Sequence, residues 1–250
     1  MGGDTVSALD FYKGKKVFIT GHTGFKGAWM CRILTLAGAD VTGYALEPPT
    51  APSLFSLTGS EKYMRSVIGD IRDVSALISC MKHSQAEIAF HMAAQAIVRR
   101  SYVDPRTTYE TNVMGTVNFM EAIKVCETVK SAVVVTTDKV YQNQEWDWGY
   151  RENDLLDGYD PYSNSKSCAE LITRCYNRAV FSSRETAIST ARAGNVIGGG
   201  GFAEDRIIPD FVRAAAKGEW IRIRNPNSIR PYQHVVEAIS AYIFIAEKQF

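Results

Sequence analysis

The chain has 250 residues, of which 46% are hydrophobic and 22% charged, and this ordinary globular composition excludes an intrinsically disordered protein. Its 28 basic and 27 acidic side chains leave a formal net charge of +1, which argues against a nucleic acid or an anionic membrane surface as partner. No apolar run approaches the roughly 18 residues that span a bilayer, and the first sixteen residues lack the apolar centre of a secretory signal, so we expect a cytoplasmic protein.

Along residues 1–190, short apolar runs alternate with longer amphipathic stretches, which is typical of a parallel sheet flanked by helices. Helices are predicted at 25–37, where Gly38 stops the first, at 105–127, and, shorter, after Pro161. The predicted strands are 16–20, 40–45, 66–68, 88–91, 132–135 and 187–190. This pattern indicates an α/β fold with a Rossmann-like doubly wound sheet, which we assign as an NAD-binding domain.

Residues 191–250 have a different composition and pattern, with a run of four glycines at 198–201 and a predicted helix at 209–217. We interpret them as the start of a smaller C-terminal substrate-binding lobe. Because the sequence stops at Phe250 inside an apolar helix, we expect this lobe to be incomplete, with part of the chain returning to the large domain.

A glycine turn follows the first predicted strand directly, with the spacing G-x-x-G-x-x-G: Gly21, His22, Thr23, Gly24, Phe25, Lys26 and Gly27. Such glycines let the backbone approach a pyrophosphate, and the helix that follows presents free N–H groups and the positive end of its dipole. A tight turn without a ligand is the alternative. The position between a strand and a helix favours a dinucleotide site.

The second strand ends without the acidic residue that normally holds the adenosine ribose, since Glu47 arrives two residues late. No arginine or lysine replaces it to bind a 2′-phosphate, which favours NAD over NADP. Asp70, followed by Ile71 after the third strand, is placed to meet the adenine. Its alternative role is to cap the helix that follows.

Tyr162 and Lys166 are four residues apart at the start of a predicted helix, so their side chains share one face. The ammonium group can then lower the pKa of the phenol and make Tyr162 a base for a hydroxyl proton. An exposed tyrosine–lysine pair is the common alternative. Thr137 favours the catalytic interpretation because it ends the fifth strand, at the edge where open α/β sheets hold ligands.

These motifs together resemble the extended short-chain dehydrogenase/reductase superfamily, and within it the nucleotide-sugar 4,6-dehydratases. The resemblance also rests on Ala93-Ala94 and on Thr111-Asn112-Val113-Met114-Gly115-Thr116. Four segments, covering residues 22–27, 95–101, 136–141 and 145–152, resemble the CDP-glucose branch of that family.

The resemblance implies NAD-dependent oxidation at C4 of a CDP-glucose-type nucleotide sugar, loss of water across C5 and C6, and reduction at C6. It implies catalytic roles for Thr137, Asp138, Lys139, Tyr162 and Lys166, and a homodimer. The cofactor would also be held by Ala93, Ala94, Gln95, Thr111 and Thr136, besides the glycine turn, Asp70, Ile71, Tyr162 and Lys166. Thr137, Asn195, Arg206 and Arg230 would hold the substrate, the two arginines by its diphosphate unless they are solvated surface charges.

One position departs from the related dehydratases, which carry an Asp-Glu pair where this chain has Asp138-Lys139. Asp138 keeps the role of acid for the departing hydroxyl. The base at C5 is therefore open: Lys139 either takes the proton itself or stays charged and stabilises the enolate.

Two other functions remain open at this stage, namely another nucleotide-sugar 4,6-dehydratase or a 4-epimerase, and a non-catalytic NAD-binding module. The pair Asp138-Lys139 argues against an epimerase, which needs no acid for a C6 hydroxyl. The five cysteines and four histidines show no metal-ligand spacing, so we expect buried free thiols and no metal site. His91 is expected to be a satisfied core residue.

Overall fold

The computed structural model describes residues 9–221 and 223–250. The first eight residues, which belong to the segment tested for a secretory signal, lie outside the described residues. Six parallel strands form the central sheet: β1 (Lys16–Thr20), β2 (Asp40–Ala45), β3 (Arg65–Ile68), β4 (Ile88–His91), β5 (Ser131–Thr137) and β6 (Ala187–Ala193). Their order is β3-β2-β1-β4-β5-β6, which is the doubly wound arrangement expected from the sequence.

Nine helices connect the strands within the described residues: α1 (Phe25–Leu36), α2 (Leu54–Leu57), α3 (Val74–Ser84), α4 (Val98–Val103), α5 (Pro105–Tyr109), α6 (Gly115–Lys124), α7 (Pro161–Ala179), α8 (Ile207–Lys217) and α9 (Val235–Lys248). A short parallel pair, β7 (Asn195–Ile197) and β8 (Tyr232–His234), lies outside the main sheet. No helix among the described residues is long and apolar enough to cross a membrane.

Two apolar clusters cover the two faces of the sheet. On one face, α1 and α9 pack against the strands through residues such as Met30, Leu34 and Ile239. The other face is covered by α3 and α6, through residues such as Leu77 and Phe119. Helix α9 thus packs against the central sheet, and the hydroxyl of Tyr12 donates a 2.6 Å hydrogen bond to the carbonyl of Ile243 on this helix.

Several element boundaries differ from the sequence prediction. Strand β6 continues to Ala193, so Arg192 lies on a strand rather than after one. The predicted helix 105–127 ends at Lys124 and contains one π-helical turn, Glu110–Met114, between α5 and α6. Such a turn inserts an extra residue into the helix and often marks a functional site.

The expectation of buried thiols holds only in part. All five cysteines are free, but Cys175 is exposed, because it lies on the outer face of α7. His91 is the core residue that was expected: it is buried, Nδ1 lies 2.8 Å from the hydroxyl of Thr20, and its ring stacks on Phe119.

Candidate active site

The glycine turn between β1 and α1 depends on close contacts between backbone atoms. Gly21 adopts a positive φ of 77°, and a Cβ there would lie 2.6 Å from the amide nitrogen of Ala93. A Cβ on Gly27 would lie 2.1 Å from the carbonyl oxygen of Gly21. Gly24 precedes the first residue of α1, whose N-terminus therefore opens directly at the turn. These contacts explain why the turn requires glycine.

The other side chains of this turn point to different parts of the fold. His22 is buried, and its Nε2 atom lies 2.7 Å from the hydroxyl of Ser66 on β3. Burial lowers the pKa of His22 to about 4, so its imidazole is neutral at physiological pH. Thr23 donates a hydrogen bond to the carbonyl of Leu46, and Phe25 packs against the α1/α9 cluster.

Asp70 does not cap the following helix, because Asp73 occupies the cap position of α3. Instead, the Asp70 carboxylate forms a two-oxygen ion pair with the guanidinium of Arg72. The hydrogen bond from Arg72 lowers the pKa of Asp70. Ile71 is buried beside Gly115.

Ala93, Ala94 and Gln95 follow β4 at the same edge of the sheet as the glycine turn. The amide of Gln95 donates to the side-chain oxygen of Asn112 at 2.8 Å. Asn112 lies beside Thr111 in the π-helical turn and also donates to Ser165 on α7 at 2.8 Å. Asn112, which was quoted in the resemblance but not predicted as a site residue, thus ties the β4 loop to the helix that carries Tyr162.

The end of β5 holds three of the five predicted catalytic residues, Thr137, Asp138 and Lys139, in contact with one another. The Thr137 hydroxyl donates to Oδ1 of Asp138 at 2.9 Å, and Nζ of Lys139 lies 3.0 Å from the same oxygen. Lys139 also donates to Oδ1 of Asn195 at 3.4 Å, which joins this cluster to β7. Thr137 is buried, and Asp138, Lys139 and Asn195 are half-buried.

Tyr162 and Lys166 share the face of α7 that turns toward this strand end. The helix begins there because Asp160 accepts a hydrogen bond from the amide of Ser163 and Pro161 occupies the first turn. Lys166 is buried, and its Nζ atom donates to the carbonyl of Val135 at 3.1 Å.

The expected effect of Lys166 on the phenol is not what this structure shows. Burial raises the pKa of Tyr162, and the groups that counter it are the Arg206 cation and a hydrogen bond with the Thr137 hydroxyl. Burial also lowers the pKa of Lys166 to about 8. The spacing of Tyr162 and Lys166 along the helix carries no information about desolvation, which dominates both pKa values.

Behind this cluster lies a buried ion pair that the sequence reasoning missed. The carboxylate of Glu170, one turn after Lys166, accepts hydrogen bonds from the Arg192 guanidinium at 2.9 and 3.0 Å. It also accepts bonds from the hydroxyls of Thr136 and Thr190. The Thr136 hydroxyl, predicted to contact the cofactor, is therefore directed at α7. The i, i+4 spacing of Lys166 and Glu170 was the only signal in the sequence.

A cavity of about 750 Å³ brings together three of the four residues predicted to hold the substrate, Asn195, Arg206 and Arg230, whereas Thr137 does not line it. Two further arginines, Arg99 and Arg224, line it as well, and both form ion pairs with Asp205. Four guanidinium groups against two lining carboxylates, Asp205 and Asp210, leave the cavity positively charged, which suits a ligand that carries phosphates. Sequence reasoning missed Arg99 and Arg224 because nothing local distinguishes them from surface charges.

The described residues suit a dinucleotide: side chains are excluded from the turn by the contacts at Gly21 and Gly27, and the N-terminus of α1 opens there. No three His, Cys, Asp or Glu side chains within residues 9–221 and 223–250 converge as metal ligands.

Comparison with known proteins gives a consistent picture. The family model described as GDP-mannose 4,6 dehydratase matches residues 18–249. A CDP-glucose 4,6-dehydratase of Salmonella typhimurium strain LT2 is 50% identical over 246 residues, which cover 96% of this chain and 68% of that protein. A trifunctional UDP-glucose 4,6-dehydratase of Arabidopsis thaliana is 28% identical and is covered over 36% of its length.

Solved structures share the architecture. The dTDP-glucose 4,6-dehydratase DesIV of Streptomyces venezuelae, with NAD and TYD bound, has a TM-score of 0.81 at 26% identity. The alignment covers 92% of this chain and 71% of that one. MoeE5 in complex with UDP-glucose and NAD has a TM-score of 0.77 at 26% identity, with the same coverage of both chains.

Proposed function

The chain belongs to the GDP-mannose 4,6-dehydratase family, and from this membership we propose that it converts CDP-D-glucose to CDP-4-dehydro-6-deoxy-D-glucose, using NAD. The 50% sequence identity with the Salmonella CDP-glucose 4,6-dehydratase supports CDP-glucose as the substrate. The observation that carries the proposal is the cluster at the end of β5, where an acid, a cation and the tyrosine–lysine pair meet.

Oxidation at C4 begins with removal of the C4 hydroxyl proton, a role we assign to Tyr162. The Thr137 hydroxyl, which contacts both this phenol and Asp138, orients the sugar alcohol. Lys166, held on the carbonyl of Val135, places a positive charge behind the phenol. The chemistry that NAD supplies when bound is reversible acceptance of hydride, taken from C4 and later returned at C6.

Elimination across C5 and C6 requires an acid for the leaving hydroxyl, and we assign that role to Asp138. A ketone at C4 makes the C5 proton acidic, and the resulting enolate needs positive charge nearby. The amine of Lys139 is held as a hydrogen-bond donor between Asp138 and Asn195. We therefore favour enolate stabilisation over proton abstraction as the role of Lys139. The Asp138 carboxylate, which accepts hydrogen bonds from Thr137 and Lys139, would take the C5 proton and deliver it to the departing C6 hydroxyl, so that water leaves and the carboxylate is regenerated.

We propose that NAD lies on the glycine turn, residues 21–27, with Asp70, Ile71, Ala93, Ala94, Gln95, Thr111 and Thr136 around it. The arginine-lined cavity would hold the nucleoside diphosphate, with Arg206 and Arg230 on the phosphates. Asn195 connects the two regions, since it lines the cavity and accepts a hydrogen bond from Lys139.

The test is incubation of the protein and NAD with CDP-, dTDP-, UDP- and GDP-glucose, followed by detection of the 4-keto-6-deoxy product by mass spectrometry and NMR. We expect product from CDP-glucose and little from the others. A 4-epimer as the product would instead indicate an epimerase. If no sugar nucleotide is transformed while NAD still binds, the chain is a binding module.

We also propose a homodimer through α4–α7. Apolar or aromatic side chains are exposed on these helices at Tyr102, Val103, Met114 and Leu171, and they would be covered by a second copy. Light scattering coupled to gel filtration tests this, since a monomeric mass would contradict it. A cytoplasmic location stays a prediction from the sequence.

A further inference from the structure

One carboxylate in the arginine-lined cavity is held through a single oxygen atom. Oδ1 of Asp205 accepts a 2.8 Å hydrogen bond from Arg99 on α4 and another, also of 2.8 Å, from Arg224, which follows α8. All three residues line the cavity. Within residues 9–221 and 223–250 no group donates a hydrogen bond to Oδ2 of Asp205, so this oxygen is available to a ligand.

The two guanidinium groups extend the hydrogen-bonding edge of Asp205. Each arginine carries five N–H donors and binds Asp205 through one nitrogen, so its other N–H groups remain beside the free oxygen. The hydrogen bonds from Arg224 and Arg99 lower the pKa of Asp205, which is therefore ionised at neutral pH and can only accept. The cluster presents an acceptor flanked by donors.

Cytosine carries the complementary edge, because its 4-amino group donates while N3 and O2 accept. A carboxylate that accepts from this amino group is an established pairing in base recognition. Uracil has nearly the same size but reverses two of the three positions, since O4 accepts and N3–H donates. A carboxylate opposite O4 and a guanidinium opposite N3–H would leave all four groups without partners. Such an edge therefore distinguishes cytosine from uracil.

The other residues of the cavity suit the rest of a nucleotide. Ile221 and Ile223 line it on the segment that carries Arg224, and their apolar side chains can pack against the flat face of a base. Arg206 and Arg230 form no ion pair within the described part of the chain, so their charges remain for the diphosphate. The arginines thus divide into a pair bonded to Asp205 and a pair left for phosphate.

We propose that Asp205, with Arg99 and Arg224 beside it, determines the specificity for the base. Its Oδ2 atom accepts a hydrogen bond from the 4-amino group of cytosine, and the two guanidinium groups donate to N3 and O2. The protein then takes CDP-sugars and rejects UDP-sugars. This inference rests on the proposed function for the identity of the substrate, but the recognition of the base is measurable without turnover.

The first experiment measures the affinities for CDP and UDP by calorimetry. We expect the unaltered protein to bind CDP between about 5 and 150 times more tightly than UDP, the range for one well-paired base edge. Asp205→Asn keeps the shape of the side chain, and asparagine tolerates the φ of 58° at this position. With its oxygen on the two arginines, the amide nitrogen replaces Oδ2 and donates, so the preference for CDP should fall at least about fivefold.

Asp210→Asn is the matched control for the change of charge. Asp210 also lines the cavity, but it is paired with Arg213 on the same helix. Its replacement should change the affinities for CDP and UDP by one common factor, as Asp205→Asn would if Asp205 only neutralised two arginines. The proposal is wrong if the unaltered protein binds both nucleotides equally or neither of them. It is also wrong if Asp205→Asn keeps the preference, or if Asp210→Asn alone removes it.

A further comparison uses the unaltered protein and so decides the matter even if Asp205→Asn does not fold. The 5′-diphosphate of 2-pyrimidinone riboside differs from CDP only in lacking the 4-amino group. It should bind at least about fivefold more weakly than CDP. Equal affinity would refute the contact between this amino group and Asp205.

Turnover separates this inference from the proposed function. With CDP-glucose, Asp205→Asn should raise KM and leave kcat nearly unchanged, because the ribose and the diphosphate separate the base from the reacting sugar. If the unaltered protein prefers CDP but transforms no sugar nucleotide, the proposed function fails and the recognition of the base stands. If it transforms CDP-glucose and Asp205→Asn keeps the preference for CDP, the proposed function stands and the role of Asp205 is refuted.

Discussion

Replacing Arg192 with methionine should strongly destabilise the fold, because it leaves the Glu170 carboxylate buried without its cation. The side chains of Glu170 and Arg192 are only 2% and 13% exposed. Removing one partner of a buried pair costs about 3–5 kcal/mol. Arg192 also donates to the hydroxyl of Tyr141 at 2.8 Å and to the carbonyl of Glu152 at 3.0 Å. We therefore expect the upper part of this range.

The pH dependence of the stability lost in Arg192→Met identifies the cause of that loss. Burial acts to raise the pKa of Glu170, but the hydrogen bonds from Arg192, Thr136 and Thr190 outweigh it, and the pKa is lowered. A lowered carboxyl pKa contributes stability above the unfolded value of about 4.3, and this contribution disappears as pH falls through the folded value. Without Arg192, burial dominates and the charged carboxylate is penalised at neutral pH. The deficit of Arg192→Met should therefore be large at pH 7 and shrink toward pH 4.

Urea unfolding of the unaltered protein and of Arg192→Met, at pH 7 and at pH 4, measures the difference in their free energies of unfolding. Arg106→Met is the matched control, because it removes an exposed arginine from an ion pair with Glu110 on the protein surface and should cause no measurable change. Adding Glu170→Gln to Arg192→Met removes the buried charge and should recover part of the loss. A deficit below about 1 kcal/mol, or one equal at both pH values, would refute the reasoning.

Three further predictions concern the site. Gly27→Ala should abolish NAD binding measured by calorimetry, because its Cβ would lie 2.1 Å from the Gly21 carbonyl, whereas Gly149→Ala, with open space around it, should bind normally. Asp138→Asn should still reduce the bound cofactor with CDP-glucose but accumulate the 4-keto-glucose intermediate, seen by mass spectrometry; rapid formation of the 6-deoxy product would exclude Asp138 as the acid. NADP should bind at least tenfold more weakly than NAD in the same calorimetric assay, since the end of β2 offers no cation for the 2′-phosphate, and equal affinities would contradict this.

Much of the fold could be predicted from local sequence. The six sheet strands and the glycine turn depend on side-chain periodicity and on backbone sterics, which neighbouring residues determine. The position of Thr137, Asp138 and Lys139 at the ligand-binding edge followed from the same pattern, because parallel strands end at one edge. Their mutual hydrogen bonds agree with that placement.

The length of β6 was underestimated because the polar Arg192 interrupts its apolar pattern, as Thr136 interrupts that of β5. Both residues lie on strands because a partner distant in sequence satisfies them: Glu170 on α7 accepts bonds from each. The strand propensity of a short segment does not depend on a partner that is distant in sequence, so it could not predict these strand ends. The π-helical turn at Glu110–Met114 escaped prediction for a similar reason, since its Asn112 contacts are made to Gln95 and Ser165 on other elements.

The sequence by itself therefore determined the order of elements, the glycine turn and the spacing of Tyr162 and Lys166. Only the tertiary structure decided the electrostatics of that pair. The pKa of Tyr162 is raised rather than lowered, first by burial, and burial also lowers the pKa of Lys166. The physical reason is that spacing along a helix is a property of the chain, whereas desolvation and charge coupling depend on which distant segments exclude water from the same site.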